Sequence, residues 1–503
     1  MNLVNMLELN ARKHGAKEAL VYGDTRLSFR DLLTESRQAA ALLQSWGVAK
    51  GDRVAIMSHN TPAFVTAFYG ALLAGAAVVP VNHKLMAPET AYILEHSGAK
   101  VFLFDGALAP VAAKLPGGPR LASLDTPAQG FAAFGDGLAG AGEPAAVEIA
   151  DLDPAEILYT SGTTGRPKGC LHSHKNVIAA GITGALAVKM DQNDRLLMAM
   201  PIWHSSPLNN WFMAAQYMGA ATVLIREYHP LHFLQAVQNE KCTVYFGAPI
   251  SYLLPLQMIP NFKDFDLSSM RCWIYGGGPI AGDVALRLME AYGSRNFNQV
   301  YGMTEAGPTG TTLFPEDQVK KAGSIGNKAL PGADLLVMKD SATPAGPGET
   351  GEIWLKAESM MQGYYHDPAA TDAAFHQGWY KTGDVARVDE DGYLFIVDRT
   401  KDMIVTGGEN VYSKEVEDAL AAHPGVMEAA VIGQPHPEWG ETVVAYVVPQ
   451  KDQTLTAEDL SAFLADKLAR YKIPRGFLFV GELPHTPTGK VMKFKLREDQ
   501  AVN

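Results

Sequence analysis

From Thr160 to Gly169 the chain reads Thr-Ser-Gly-Thr-Thr-Gly-Arg-Pro-Lys-Gly, with three glycines, four hydroxyl residues and a lysine in ten positions. A polyphosphate needs such a string: glycine lets backbone N–H groups come close, hydroxyls donate, and lysine neutralises charge. It is not a Walker A loop, because no Gly-Lys-Ser/Thr closes it and Pro167 precedes Lys168. A flexible turn between two strands is the other reading. Further residues with chemistry in them are scattered downstream. Thr304 and Glu305 end a strand-like Val300–Met303, Asp384 follows Lys-Thr-Gly, and Lys490 sits in a Pro/Gly-rich loop. His204 follows Trp203, and Gly276, Gly277 and Gly278 run together. Each has a plain counterpart: a strand-end acid, a turn-forming aspartate, a solvated lysine, a structural histidine, a tight turn.

Taken in order, these segments resemble the acyl-adenylate-forming superfamily, which contains acyl-CoA synthetases, adenylation domains of nonribosomal peptide synthetases and beetle luciferases. Tyr159 to Gly169 resembles its signature loop. Pro201-Ile-Trp-His204, Tyr275-Gly-Gly-Gly-Pro279, Tyr301-Gly-Met-Thr-Glu305, Tyr380-Lys-Thr-Gly-Asp384, Asp398-Arg-Thr-Lys-Asp402 and Pro484-His-Thr-Pro-Thr-Gly-Lys490 match further motifs in the correct order.

The resemblance implies a bacterial acyl-CoA synthetase: ATP and a carboxylic acid give acyl-AMP and pyrophosphate, and coenzyme A then takes the acyl group and releases AMP. Joining two anions in line requires gathered positive charge. By resemblance Lys490 supplies it at the carboxylate, Thr304 touches the α-phosphate, and Glu305 helps hold Mg²⁺, a hard ion that one carboxylate plus substrate phosphates can bind. Thr160, Ser161, Gly162, Thr163, Thr164, Gly165 and Lys168 are implied at the phosphates. Gly276, Gly277 and Gly278 are implied against the adenine with Tyr301 stacking on it, Gln299, Gly302 and Met303 elsewhere in the ATP/AMP site, Asp384 at the ribose, and Arg399 at the ribose or a phosphate. His204 and Trp203 are implied to line the passage from acyl pocket to thiol tunnel, although family members usually carry Phe or Tyr where Trp203 stands. Trp203, Phe246 and Gly307 are expected to shape the acyl pocket. Lys401 matches the pivot about which the C-terminal domain rotates between half-reactions. Gly407 and Gly408 are implied in the pantetheine tunnel, and Lys84 and Arg475 at the phosphates of coenzyme A, with plain solvation as the alternative. Ile473 replaces a basic residue used there by a related aryl-CoA ligase.

Segments 204–212, 246–251, 276–278 and 301–309 contain no Arg or Lys. A second carboxylate on the substrate would be buried without a partner, which is costly. The acid is therefore expected to be uncharged in its tail, a medium or longer fatty acid or an aryl acid. Two alternatives stay open: an acyl-AMP ligase loading a separate carrier protein, and a nucleotide-binding protein without catalysis.

The elements that must position these residues follow a βαβ rhythm. Leu32–Trp46 and Ala63–Ala74 read as helices, and Arg53–Met57, Ala77–Val81 and Ala99–Phe104 as strands. Arg195–Met200, Thr222–Ile225, Thr243–Phe246, Met270–Tyr275 and Asn298–Tyr301 continue the strand series. Pro116–Pro144, rich in Ala, Gly and Pro, reads as an irregular crossing. The predicted fold is α/β: a large N-terminal AMP-binding domain over 1–400 with a β-rich subdomain at about 331–398, and a small mobile α+β domain over 401–503. Its members are helix Lys414–Ala422, strands Val426–Ile432 and Val443–Pro449, and helix Ala457–Leu468.

At 503 residues the chain is too long for one core. A net charge of −12 argues against nucleic acid as the main partner. Cys170, Cys242 and Cys272 are widely spaced, with no disulfide or metal pattern, which suits a reducing, cytoplasmic setting. Met1–Ala19 has no secretory pattern. Phe64–Val81, broken by Gly70, Gly75 and Pro80, reads as a core helix and strand rather than a membrane span. Oligomeric state is left open, a homodimer being compatible.

Overall fold

A computed structural model describes residues 1–503 apart from 161–166, 279, 400–401, 407–408, 438, 452, 454, 466, 486–490 and 499–503. It divides into two compact units: Met1–Leu335 with Leu355–Tyr380, and Leu336–Trp354 with Lys381–Asn503. The division cuts three strands, Ala333–Met338, Thr350–Ala357 and Trp379–Val388.

The larger unit holds two eight-stranded sheets. In one, Arg53–Met57 pairs in parallel with Ala77–Val81 on one side and Val101–Phe104 on the other. In the second, Ala221–Leu224, Arg195–Met198, Val244–Gly247, Cys272–Gly276 and Phe297–Tyr301 run in parallel. These strands alternate between cores. Val54 and Ile56 join one apolar cluster, Ala55 and Met57 another. Burial on both faces explains why such strands read as unbroken apolar runs. The largest cluster takes side chains from both sheets and from helices Leu3–Lys13, Phe29–Ser45, Pro62–Leu73 and His174–Ala187, so this helical layer serves both sheets. Helix Pro62–Leu73 followed by strand Ala77–Val81 is the predicted core unit. Among the described residues no helix is long and apolar enough to cross a membrane.

Pro116–Pro144 departs from its reading as an irregular crossing. It contributes strands Arg120–Ser123 and Ala132–Ala133 to the sheet edge and a short helix, Phe134–Leu138. The pairing is parallel, with Phe102 opposite Leu121. Backbone hydrogen bonds to a neighbouring strand override the weak local preference of an Ala/Gly/Pro sequence.

In the smaller unit, Val426–His436 and Gly440–Pro449 form a long antiparallel pair, and Gly476–Phe479 adds in parallel. Helices Ser413–Ala421 and Ala457–Ala465 cover it through Val416, Leu420, Leu460 and Leu464. All three cysteines are buried, and burial pushes the thiols of Cys242 and Cys272 up to about 12 and that of Cys170 well above its ordinary value.

Candidate active site

Strands Pro154–Thr160 and Lys168–Ser173 form an antiparallel hairpin in which Thr160 stands opposite Lys168. The glycine-rich loop is therefore carried on a hairpin whose neck is anchored in the sheet. Its residues Ser161, Gly162, Thr163, Thr164 and Gly165 lie outside the described residues. Lys168 Nζ lies 4.9 Å from the centroid of the Tyr364 ring. A cation over an aromatic face is held there with its charge still available to an anion.

Tyr364 continues the connection. Its hydroxyl donates to Glu305 Oε1 at 3.1 Å and lies 3.4 Å from the Tyr380 hydroxyl. Burial, with Glu305 beside it, pushes the Tyr364 phenol well above its ordinary value, so it stays a donor. Glu305 belongs to the 3₁₀ turn Thr304–Ala306, directly after strand Phe297–Tyr301 and the linking Gly302–Met303. Thr304 Oγ1 is 2.9 Å from Ser205 Oγ, next to His204. Glycine is required at two points of this turn. A Cβ on Gly302 would stand 2.1 Å from the Pro308 carbonyl, and one on Gly307, with φ +67°, 2.1 Å from that of Ser359. Beneath the turn, His172 is wholly buried, and that burial lowers it to about 4, so it is neutral.

Gly276 ends strand Cys272–Gly276, and Gly277 follows with φ +74°. Gln299 is buried in the neighbouring strand, one residue pair from Tyr301. Trp203 is buried, and its indole N–H donates to His83 Nδ1 at 2.9 Å. Phe246 stacks on Trp211, with centroids 5.5 Å apart. Trp211 belongs to a π-helical segment, Ser206–Phe212, a rare conformation that often marks functional sites. Asn209 on that segment donates to Glu156, which is fully buried and raised to about 8. Lys84 is exposed on the loop after strand Ala77–Val81.

In the smaller unit, Asp384 and Arg399 are paired across two strands, and Arg399 Nε donates to Asp384 Oδ1 at 2.7 Å. Asp398 is buried and accepts from the backbone and hydroxyl of Ser413. Asp402 binds Arg497 at 2.9 Å. Arg475 is exposed, with its guanidinium 3.2 Å from the centroid of the Trp439 ring. Ile473 packs on the apolar core of this unit, so a cation there would have to leave that packing. Lys401, Gly407, Gly408 and Lys490 lie outside the described residues.

The sequence did not reveal Tyr364, Ser205 or His83 as partners of predicted residues, nor Glu156 as the partner of Asn209. They contact Glu305, Thr304, Asn209 and Trp203 across 53 to 120 positions, and no local spacing signals such pairs.

Residues 7–365 match the AMP-binding enzyme family, and residues 415–490 match the AMP-binding enzyme C-terminal domain. The chain belongs to the AMP-binding enzyme family. It is 36% identical over 479 residues to a long-chain-fatty-acid–CoA ligase of Mycobacterium tuberculosis, covering 94% of this chain and 93% of that relative. It is 36% identical over 489 residues to a feruloyl-CoA synthase of Amycolatopsis sp, covering 97% and 96%. Among solved structures it resembles the o-succinylbenzoate CoA synthetase of Bacillus subtilis in complex with its acyl-adenylate intermediate. That likeness has a TM-score of 0.88 at 30% identity and covers 98% of each chain. This AMP-binding enzyme is an acyl-CoA synthetase, an AMP-forming acid–thiol ligase that uses ATP and coenzyme A, with magnesium typical of the family.

Proposed function

We propose that the enzyme activates an acid with an uncharged tail, a medium or longer fatty acid or an aryl acid, through the residues assigned above. One observation carries the site assignment. Lys168, Tyr364, Glu305, Thr304 and Ser205 form a continuous chain of contacts that joins the neck of the phosphate hairpin to the Thr304–Ala306 turn. A triphosphate lying along it would meet Lys168 and the loop hydroxyls at one end and Thr304 at its α-phosphate. Mg²⁺ fits Glu305, because a carboxylate's several lone pairs can serve both a tyrosine donor and a cation. Bound there, the ion would neutralise the phosphate oxygens. Gly276, Gly277, Gly278 and Tyr301 would receive the adenine, and Asp384 with Arg399 the ribose. Lys490 would bridge carboxylate and phosphate, and Lys401 would serve as pivot between a domain over 1–400 and one over 401–503. Lys84, Arg475, Gly407 and Gly408 would serve coenzyme A.

The tail preference is supported by the apolar stack of Phe246 on Trp211 and by segments free of Arg and Lys. Buried free thiols support a reducing compartment such as the cytoplasm. Sedimentation would test a homodimer.

Pyrophosphate release is expected with fatty acids of graded length or with aryl acids, and not with dicarboxylates. Faster turnover of a dicarboxylate would overturn the tail assignment. Lys490→Ala should slow adenylation at least about a hundredfold, the scale of losing one electrostatic stabiliser, while sparing thioesterification of supplied acyl-AMP. Equal loss in both steps would remove Lys490 from its role.

A further inference from the structure

In the first sheet the chain passes from strand Arg53–Met57 to Ala77–Val81 on one side, then crosses to Val101–Phe104 on the other. Such a reversal opens a crevice outside the carboxyl ends of the strands, where α/β proteins bind ligands. His59, His83 and Asp105 stand just past those three strand ends. Arg226 and Glu227 come just past strand Ala221–Leu224 of the second sheet.

The ligand atoms converge. His59 Nε2 is 3.4 Å from Glu227 Oε1, His83 Nε2 is 3.5 Å from the same oxygen, and all three groups fall within 4.8 Å. These separations are longer than good hydrogen bonds. They match the spacing of two ligands on one tetrahedral ion, about 3.4 Å apart when each bond is about 2.0–2.1 Å. His83 Nε2 is buried and has no hydrogen-bond partner among the described residues. His59 is supported from behind: its Nδ1 lies 2.7 Å from Asp105, which Arg226 holds at 2.6 Å. A carboxylate behind a histidine orients it and raises its basicity toward a metal.

We propose that His59, His83 and Glu227 form a binding site for a borderline divalent cation such as Zn²⁺, and that filling it breaks the bond between His83 and Trp203. Two imidazoles and one carboxylate suit that class of ion and not Mg²⁺, which prefers oxygen. The coupling follows from proton count. An indole N–H can only donate, so His83 Nδ1 accepts and the ring proton sits on Nε2. A metal on Nε2 displaces that proton. The neutral ring then carries its proton on Nδ1, facing the indole N–H, and Trp203 must turn away.

The test uses untagged full-length protein and Co²⁺ alone, read by its visible d–d absorption, with Zn²⁺ as competitor. A saturable one-to-one spectrum of tetrahedral type is expected. Glu227→Ala, at a residue 59% exposed and safe for folding, removes a direct ligand and should weaken binding at least about tenfold, no less than the loss of a supporting group. Asp105→Asn should weaken it about 10–100-fold. Trp203→Phe should tighten it about two- to tenfold, because no hydrogen bond need be broken. No saturable spectrum, or affinity unchanged in Glu227→Ala, overturns the site. Equal or weaker binding by Trp203→Phe overturns the coupling.

Discussion

Tyr364 donates a hydrogen bond from its hydroxyl to Glu305, and a hydrogen bond to a charged group is worth about 1.5–3 kcal/mol net. Tyr364→Phe is therefore expected to raise the KM for Mg·ATP about 10–100-fold in a pyrophosphate-release assay, with the acid's KM little changed. A shift confined to the acid would show that the tyrosine serves the acyl side instead. The contrast between Glu305 and Tyr364 shows what a sequence exposes. Glu305 announces itself within Tyr-Gly-Met-Thr-Glu, whereas Tyr364 lies 59 residues away in Gln-Gly-Tyr-Tyr, with nothing local to connect them. Trp203 was legible as an aromatic beside His204, but its tether to His83 depends on two strand ends meeting from separate sheets.

Among the elements, the hairpin that carries the phosphate loop and the π-helical segment beside it share Glu156. Asn209 donates to it, and its strand partner is His172. Burial raises the Glu156 carboxyl from its ordinary 4.5 to about 8. The unfolded chain ionises it first, so stability attached to this group is full below pH about 4.5 and is lost as pH rises through about 8. Glu156→Gln keeps an acceptor for Asn209 and removes the titration. Its unfolding free energy in urea should fall less than that of wild type between pH 5 and about 8. Identical slopes would mean that the carboxyl is already solvated. Long apolar runs made the parallel strands readable, down to the bounds of Ala77–Val81. Arg120–Ser123 was not readable, because a strand in an Ala/Gly/Pro stretch near the sheet edge owes its conformation to the neighbours it bonds. The π turn was hidden too: no short residue pattern distinguishes it from ordinary helix.

For the molecule as a whole, the proposed rotation between the two half-reactions would place its demand on the link around residue 400. On one side Asp398 is tied to Ser413, on the other Asp402 to Arg497, all within the smaller unit. Lys401→Pro, which fixes φ, should slow acyl transfer to coenzyme A more than pyrophosphate release. An unchanged ratio of the two rates would remove Lys401 from the pivot role. The inaccessible, hard-to-ionise sulfurs of Cys170, Cys242 and Cys272 give this experiment a practical opening. Alkylating dyes attack the thiolate, so the native chain should leave them unreacted at neutral pH. One engineered cysteine on an exposed loop of either unit would carry a fluorophore or spin label without rivals, and the cycle could be watched without first stripping out native residues.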